Sequence, residues 1–75
     1  MSNEQFLESI GARIKRIRQE KNLTQSKLAE LCDFEKASMS RIESGQTNPT
    51  ILTLRKVSQA LNVPVLSFFS EPVAV

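Results

Sequence analysis

The stretch from Leu23 to Thr50 constrains the fold of this chain more than any other. It reads LTQSKLAELCDFEKASMSRIESGQTNPT and contains two short helical patterns joined by a tight link, Asp33 and Phe34. Gly45 directly follows the second pattern, where a left-handed residue commonly ends a helix. Pro49 then prevents the helix from continuing. The sequence therefore predicts two adjacent short helices rather than one long helix.

Helical patterns also flank this stretch, and no segment shows the alternation typical of a strand. An apolar repeat at spacings of four, four and three predicts a first helix, with one face carrying Phe6, Ile10, Ile14 and Ile17. A similar repeat after the capping residue Thr50 predicts a fourth helix, with Ile51, Leu54, Val57 and Leu61. Pro64 is expected to start a short fifth helix. We therefore expect an all-α fold, a compact five-helix bundle.

The composition excludes several classes of protein. With one Cys and no His, the chain cannot form an intrachain disulfide or assemble a Cys/His zinc site, and we expect no metal and no cofactor. The sequence gives no indication of an enzyme. It contains no His, no carboxylates paired in a pocket-forming arrangement and no Gly-rich phosphate loop. No segment approaches the roughly 18 apolar residues needed to span a membrane, and the N-terminus lacks the features of a signal peptide. A cytoplasmic protein without membrane contact is the expectation.

The third helix carries the residues that point to a function. It opens with Lys36 and carries Arg41 among small residues, Ala37, Ser38 and Ser40. A short helix with small and cationic residues on its outer face is the kind of element that fits a DNA major groove. Arg41 could donate to guanine O6 and N7 or contact only phosphate. Ala37 could touch a thymine methyl group or simply permit close approach.

Three motifs in register identify a family resemblance. The blocks T-Q-x-x-L-A (Thr24 to Ala29), S-R-I-E-x-G (Ser40 to Gly45) and N-P-T (Asn48 to Thr50) resemble the XRE-type helix-turn-helix regulators related to phage lambda repressor and Cro. The resemblance covers Ile10 to Val65. It implies a lambda repressor-like DNA-binding domain in which the second helix positions the third, the recognition helix, on double-stranded DNA.

The resemblance and the residue types together give the candidate DNA-binding residues. The resemblance implies that Gln25 holds a DNA phosphate and braces the recognition helix, and that the loop after Gly45 meets the sugar-phosphate strand. Lys27 opposes the dipole of its own helix, a cost that a nearby phosphate would offset, although it could equally be an exposed Lys without a role. The full set is Gln25, Lys27, Lys36, Ala37, Ser38, Ser40, Arg41, Gln46, Thr47 and Asn48.

The resemblance also implies a structural ion pair between Arg18 and Glu43, which would tie the first helix to the third. The alternative is that Arg18 belongs to the basic face of the first helix and touches phosphate. Two departures from the family pattern lie at the start of the third helix. Asp33 stands where Gly or Asn is common, which predicts some backbone strain, and Glu35 stands where Ser or Thr usually caps the helix.

A single domain of this size makes a small footprint on DNA, so we expect a homodimer on a (pseudo)palindromic operator. The candidate dimer interface is the apolar cluster of Leu66, Phe68 and Phe69. The alternative is that these side chains complete a thin core.

The predicted organisation is an N-terminal extension of the first helix over residues 1–9, a helix-turn-helix DNA-binding domain over 10–70 and a flexible tail over 71–75. The expected function is that of a sequence-specific transcription regulator or repressor without a small-molecule ligand. Short regulators that resemble this chain include controllers of restriction–modification systems. The alternative is a protein-interaction module, such as an antitoxin or adaptor that binds a partner protein.

Overall fold

A computed structural model describes residues 2–69, and over this range all of the regular secondary structure is helical. Four α-helices precede one turn of 3₁₀-helix, in the order α1 (Asn3–Glu20), α2 (Gln25–Leu31), α3 (Lys36–Ser44), α4 (Ile51–Leu61) and the 3₁₀-helix (Val65–Phe68). The all-α prediction is confirmed. None of the helices in this range is both long enough and apolar enough to cross a membrane.

The ends of the helices follow from local sequence. The hydroxyl groups of Thr24 and Thr50 accept the backbone N–H groups of Lys27 and Thr53, which caps α2 and α4 as their residue types predict. Ser2 and Gln5 form a capping box at the start of α1. At the other ends, the chain leaves α1, α3 and α4 through residues with positive φ angles: Asn22, Gly45 and Asn62.

The predicted fifth helix is wrong, because the segment after Pro64 forms a single 3₁₀ turn. Pro64 lies outside the helix in an extended conformation, and no side chain caps the start of the turn. The N–H of Phe69 donates to the carbonyl oxygen of Leu66, a spacing of three residues. One turn is enough to bring Phe68 into the core, where 1% of its surface remains exposed.

The core lies where α1, α2, α3 and α4 meet, and each helix contributes apolar side chains to it. These are Ile10, Ile14, Leu28, Ala29, Cys32, Met39, Ile42, Leu54, Val57, Leu61 and Phe68. Phe6 belongs to the apolar repeat of α1 but, unlike Ile10 and Ile14, is largely exposed, at 46%. Its ring faces that of Phe69, with 6.2 Å between centroids.

The crossing of α1 and α3 positions the candidate functional helix. Gly11 of α1 lies against the backbone of Ile42 and Glu43 in α3, where a side chain would collide with both carbonyl groups. The two helices therefore approach more closely than any other residue at position 11 would allow. α1 runs without a break through residues 3–9, which were predicted as its N-terminal extension. The predicted tail over 71–75 lies outside the described residues.

Candidate nucleic-acid interface

A tight reversal joins α2 to α3. Asp33 adopts a left-handed conformation, with φ at 58°, and the N–H of Phe34 donates to the carbonyl oxygen of Ala29 at 2.8 Å. Phe34 is half-buried and Met39 is fully buried, an arrangement that fits the hydrophobic staple at the start of α3. The backbone conformation of Asp33 is uncommon for a residue with a side chain, which fits the strain expected there.

The link has a second support from α4. The ammonium group of Lys56 lies 5.5 Å from the centroid of the Phe34 ring, within the range of a cation–π contact. Phe34 therefore anchors the turn through contacts with both the core and α4.

A buried polar network fixes α3 relative to α1 and α2. The Arg18 Nε–H donates to Glu43 Oε2 at 2.7 Å and the Arg18 Nη2–H donates to Glu43 Oε1 at 3.0 Å, so the pair is bidentate. A third Arg18 nitrogen donates to the carbonyl oxygen of Leu23 at 2.8 Å. Arg18 keeps only 7% of its surface exposed, so its guanidinium faces inward and does not join the outer basic face of α1.

Gln25 completes this network from the first residue of α2. Its side-chain amide nitrogen donates to Glu43 Oε1 at 3.1 Å. Glu43 thus receives donors from both α1 and α2, and no buried side-chain N or O atom within residues 2–69 lacks a partner. The network sets the orientation of α3 without using any atom of its outer face.

The outer face of α3 is exposed and holds four of the predicted site residues. Met39, Ile42 and Glu43 are buried, so the other side of the helix is presented to solvent. That side carries Lys36, Ala37, Ser40 and Arg41, all exposed. Glu35, directly before the helix, is also exposed, and its side chain makes no capping hydrogen bond.

A cleft lies between α3, the loop that follows it and the start of α4. It is lined by Ser38, Arg41, Thr47, Asn48, Thr50 and Thr53, among others. The structure thus brings four predicted residues, Ser38, Arg41, Thr47 and Asn48, to one place. Sequence reasoning missed Thr53, for which the only sequence signal was its position three residues after the cap Thr50.

Two further predicted site residues, Lys27 and Gln46, lie outside the lining of this cleft. Lys27, in the first turn of α2, is exposed and lies 3.6 Å from a carboxylate oxygen of Glu30. Gln46 is exposed in the loop after α3, and its N–H donates to the carbonyl oxygen of Arg41 at 2.9 Å.

The residues predicted for a dimer interface do not share one environment. Phe68 is buried within its own chain, so its assignment to the dimer interface is wrong; the core requires a large apolar side chain beneath α1 and α4. Leu66 is 70% exposed, and Phe69 is half-buried beside Phe6. Of the three predicted residues, Leu66 and Phe69 remain candidates for the dimer interface.

The described part of the chain offers no group of three or more His, Cys, Asp or Glu residues that could hold a metal ion. What it presents is a helix pair with a fixed turn, the second helix exposed along one side and flanked by a polar cleft. This arrangement defines a helix-turn-helix unit.

Comparison with known proteins agrees with this geometry. A family model described as helix-turn-helix matches residues 14–68. The HTH-type transcriptional regulator SinR of Bacillus subtilis is 46% identical over 63 residues, which are 83% of this chain and 57% of that protein. The HTH-type transcriptional regulator SutR of Escherichia coli is 35% identical over 92% of this chain and 39% of its own length. The chain belongs to the helix-turn-helix family of lambda repressor-like regulators.

A solved structure has the same fold over nearly its whole length. The restriction-modification controller protein C.AhdI from Aeromonas hydrophila superposes with a TM-score of 0.82 at 28% identity, covering 84% of this chain and 96% of that one. The curated relatives are longer, and this chain spans 39% of SutR and 44% of the immunity repressor protein of Bacillus phage phi105.

Proposed function

We propose that this protein is a sequence-specific double-stranded DNA-binding transcription regulator, not an enzyme, and that it acts as a homodimer on a (pseudo)palindromic operator. The observation that carries the proposal is the outer face of α3. It presents small and cationic side chains to solvent, while the buried pair of Arg18 and Glu43 holds the helix from behind. A short helix held in this way can enter the major groove without rearrangement. The names of its relatives, which are transcriptional regulators, support the same function.

The first turn of that face gives a direct test. Ala37 is exposed at the second position of α3, where a carboxylate would meet base edges and phosphates in the proposed complex. Ala37→Glu should abolish binding to a duplex selected from a random pool, because it places a negative charge in the groove. Ala12→Glu makes the same change on the exposed side of α1 and should leave binding intact.

Fluorescence anisotropy at about 0.15 M salt is a suitable measurement, because nonspecific phosphate attraction is weakened there. The wild-type protein should bind the selected duplex at least about a thousandfold more tightly than an unrelated duplex. Equal affinity for the two duplexes would refute sequence-specific recognition.

The homodimer is proposed on the exposed side chain of Leu66 together with Phe69. Leu66→Asp should leave the fold unchanged, because 70% of the Leu66 surface is already in water, but should convert the dimer to a monomer in light scattering. Ser67→Asp, next to it in the 3₁₀-helix, serves as a control for added charge. A wild-type protein that is monomeric at all concentrations would contradict this part of the proposal.

The alternative is a protein-interaction module, such as an antitoxin or adaptor. It is favoured by the exposure of Ile51 and Leu52 at the start of α4, which are 64% and 69% exposed. Large apolar side chains on the surface can mark a partner site. A clean monomer that binds no duplex but forms a stoichiometric complex with a protein encoded by a neighbouring gene would favour the adaptor over the regulator.

A further inference from the structure

We infer that Glu35, at the leading end of α3, determines sequence specificity by accepting a hydrogen bond from the amino group of a cytosine in the major groove. The inference rests on the proposed function and adds to it one residue and the base that this residue selects. In such a complex the N-terminal residues of the recognition helix lie nearest to the base edges. Glu35 directly precedes the first residue of α3 and is exposed, as are Lys36 and Ala37 after it.

The carboxylate of Glu35 has no partner within the described part of its own chain. The side chain of an N-cap residue commonly accepts an N–H of the first helical turn, but the Glu35 side chain makes no such bond. No ion pair within residues 2–69 involves it either. The carboxylate is therefore available to a group outside the chain.

The backbone around Glu35 is held in place, although its side chain is free. Phe34, directly before it, is half-buried, and the ammonium group of Lys56 lies 5.5 Å from its ring centroid. On the other side, the N–H of the buried Met39 donates to the carbonyl oxygen of Glu35 at 3.1 Å. The backbone therefore cannot withdraw the carboxylate when α3 enters the groove, and the side chain meets the base edges that the DNA presents there.

The negative charge of Glu35 discriminates among the four bases. In the major groove guanine presents only acceptors, and thymine presents an acceptor and a methyl group. Adenine presents an amino donor beside the acceptor N7, whereas cytosine presents its amino group without an acceptor on the same base. An ionised carboxylate can only accept hydrogen bonds, so cytosine is the matching base.

The same carboxylate lowers the affinity for other sequences. Phosphates repel it, and its loss of water in the groove is not offset unless a donor faces it. Specificity then comes from penalising the wrong duplex as well as from binding the right one. The loss of binding expected for Ala37→Glu has the same cause, because the duplex selected by the wild-type protein was not chosen to face a carboxylate at position 37.

The test selects duplexes from one random pool with the full wild-type chain, with Glu35→Ala and with Asp33→Asn. The wild-type consensus should contain one cytosine in each half-site that Glu35→Ala no longer prefers, while the other positions keep their preferences. Asp33→Asn removes the same charge two residues earlier, at a left-handed position that Asn tolerates, and should select the wild-type consensus. Glu35→Ala loses no capping hydrogen bond, so circular dichroism melting should show a fold as stable as that of the wild type.

A modified base isolates the contact. In N4-methylcytosine a methyl group replaces the N–H that faces the major groove, while the N–H used in Watson–Crick pairing remains. In fluorescence anisotropy the wild-type protein should bind a duplex with this base at the selected position about tenfold more weakly than the unmodified duplex. Glu35→Ala should bind the two duplexes equally.

Two results would overturn the role of Glu35. Glu35 does not read cytosine if Glu35→Ala keeps the wild-type preferences, if the position that changes is not a cytosine, or if methylation weakens both proteins by the same factor. The same change of preference in Asp33→Asn would show a general effect of charge. If the wild-type protein enriches no sequence from the pool, the proposed function itself fails.

Discussion

Gly11 of α1 packs directly against the backbone of Glu43 in α3. A Cβ atom at position 11 would lie 2.5 Å from the Glu43 carbonyl oxygen, far inside van der Waals contact. Glu43 is also the acceptor for Arg18 and Gln25. The close crossing of the two helices and the buried polar network are therefore parts of one joint, which fixes the helix proposed to enter the DNA groove.

Replacing Gly11 by alanine tests this joint. Alanine favours an isolated helix by about 1 kcal/mol over glycine, so local propensity alone predicts stabilisation. We expect Gly11→Ala instead to lower the free energy of unfolding by about 1–3 kcal/mol, because the backbone of α3 has to move away. Urea denaturation measures the change. Ala12→Gly, at the exposed neighbouring position, reports the propensity effect alone, and a stabilised Gly11→Ala variant would contradict the close crossing.

The buried ion pair gives a second prediction. Arg18→Met should lower the free energy of unfolding by about 3–5 kcal/mol, since it leaves the carboxylate of Glu43 buried without its main partner. The exposed pair between Lys27 and Glu30 supplies the comparison: Lys27→Met should cost less than about 1 kcal/mol. Thermal or urea unfolding of both variants under the same conditions is the measurement. If both variants lost a similar free energy of unfolding, the buried pair of Arg18 and Glu43 would contribute no more to stability than the exposed pair of Lys27 and Glu30.

We expect that a substitution at the start of α3 can stabilise the protein. Glu35 occupies the N-cap position without a side-chain hydrogen bond. Glu35→Ser should raise the free energy of unfolding by up to about 1 kcal/mol, because a serine hydroxyl can accept an N–H of the first turn.

The same substitution should tighten binding to an unrelated duplex, because it removes a negative charge beside the proposed interface. Glu20→Ser, at the end of α1, removes the same charge elsewhere and controls for net charge. Unchanged nonspecific affinity in Glu35→Ser would place Glu35 away from the DNA.

The single thiol offers a probe of the core. Cys32 has no exposed surface, and its Sγ lies 3.9 Å from the carbonyl oxygen of Lys56. Burial raises the pKa of the Cys32 thiol, an effect that the charge of Lys56 partly offsets. Since the thiolate is the reactive form, alkylation by iodoacetamide at pH 8 should be much slower in the folded protein than in urea. Equal rates by mass spectrometry would mean that α2 and α4 separate readily.

Local chemistry allowed most of the helix ends to be predicted. Thr24, Thr50 and Gly45 interact with neighbours within a few residues along the chain. The helix ends that they form can therefore be predicted without knowledge of the tertiary structure. The same holds for the staple of Phe34 and Met39. Strain at Asp33 was expected only from the family resemblance, because Gly or Asn is common at that position. The outer face of α3 followed from helical spacing, because two of its inward residues, Met39 and Ile42, are apolar. The third, Glu43, was placed inward only by the family resemblance.

Contacts between residues that are far apart in the sequence could not be predicted in this way. The apolar cluster near the C-terminus left open which side chain was core, and the fold buries Phe68 while leaving Leu66 in water. The residues by themselves did not settle whether Arg18 faces Glu43 or solvent; family resemblance favoured the pair. The cleft escaped notice because Arg41 and Thr53 belong to different helices.

By itself, then, the sequence determined a set of capped helices, a short turn between two of them and an outward face on α3. These depend on interactions within one or two helical turns. Only the tertiary structure decided how closely α1 and α3 cross at Gly11, which apolar side chains are buried and what lies opposite Arg41. Those outcomes depend on which surfaces of the helices meet, and packing across the whole bundle sets them.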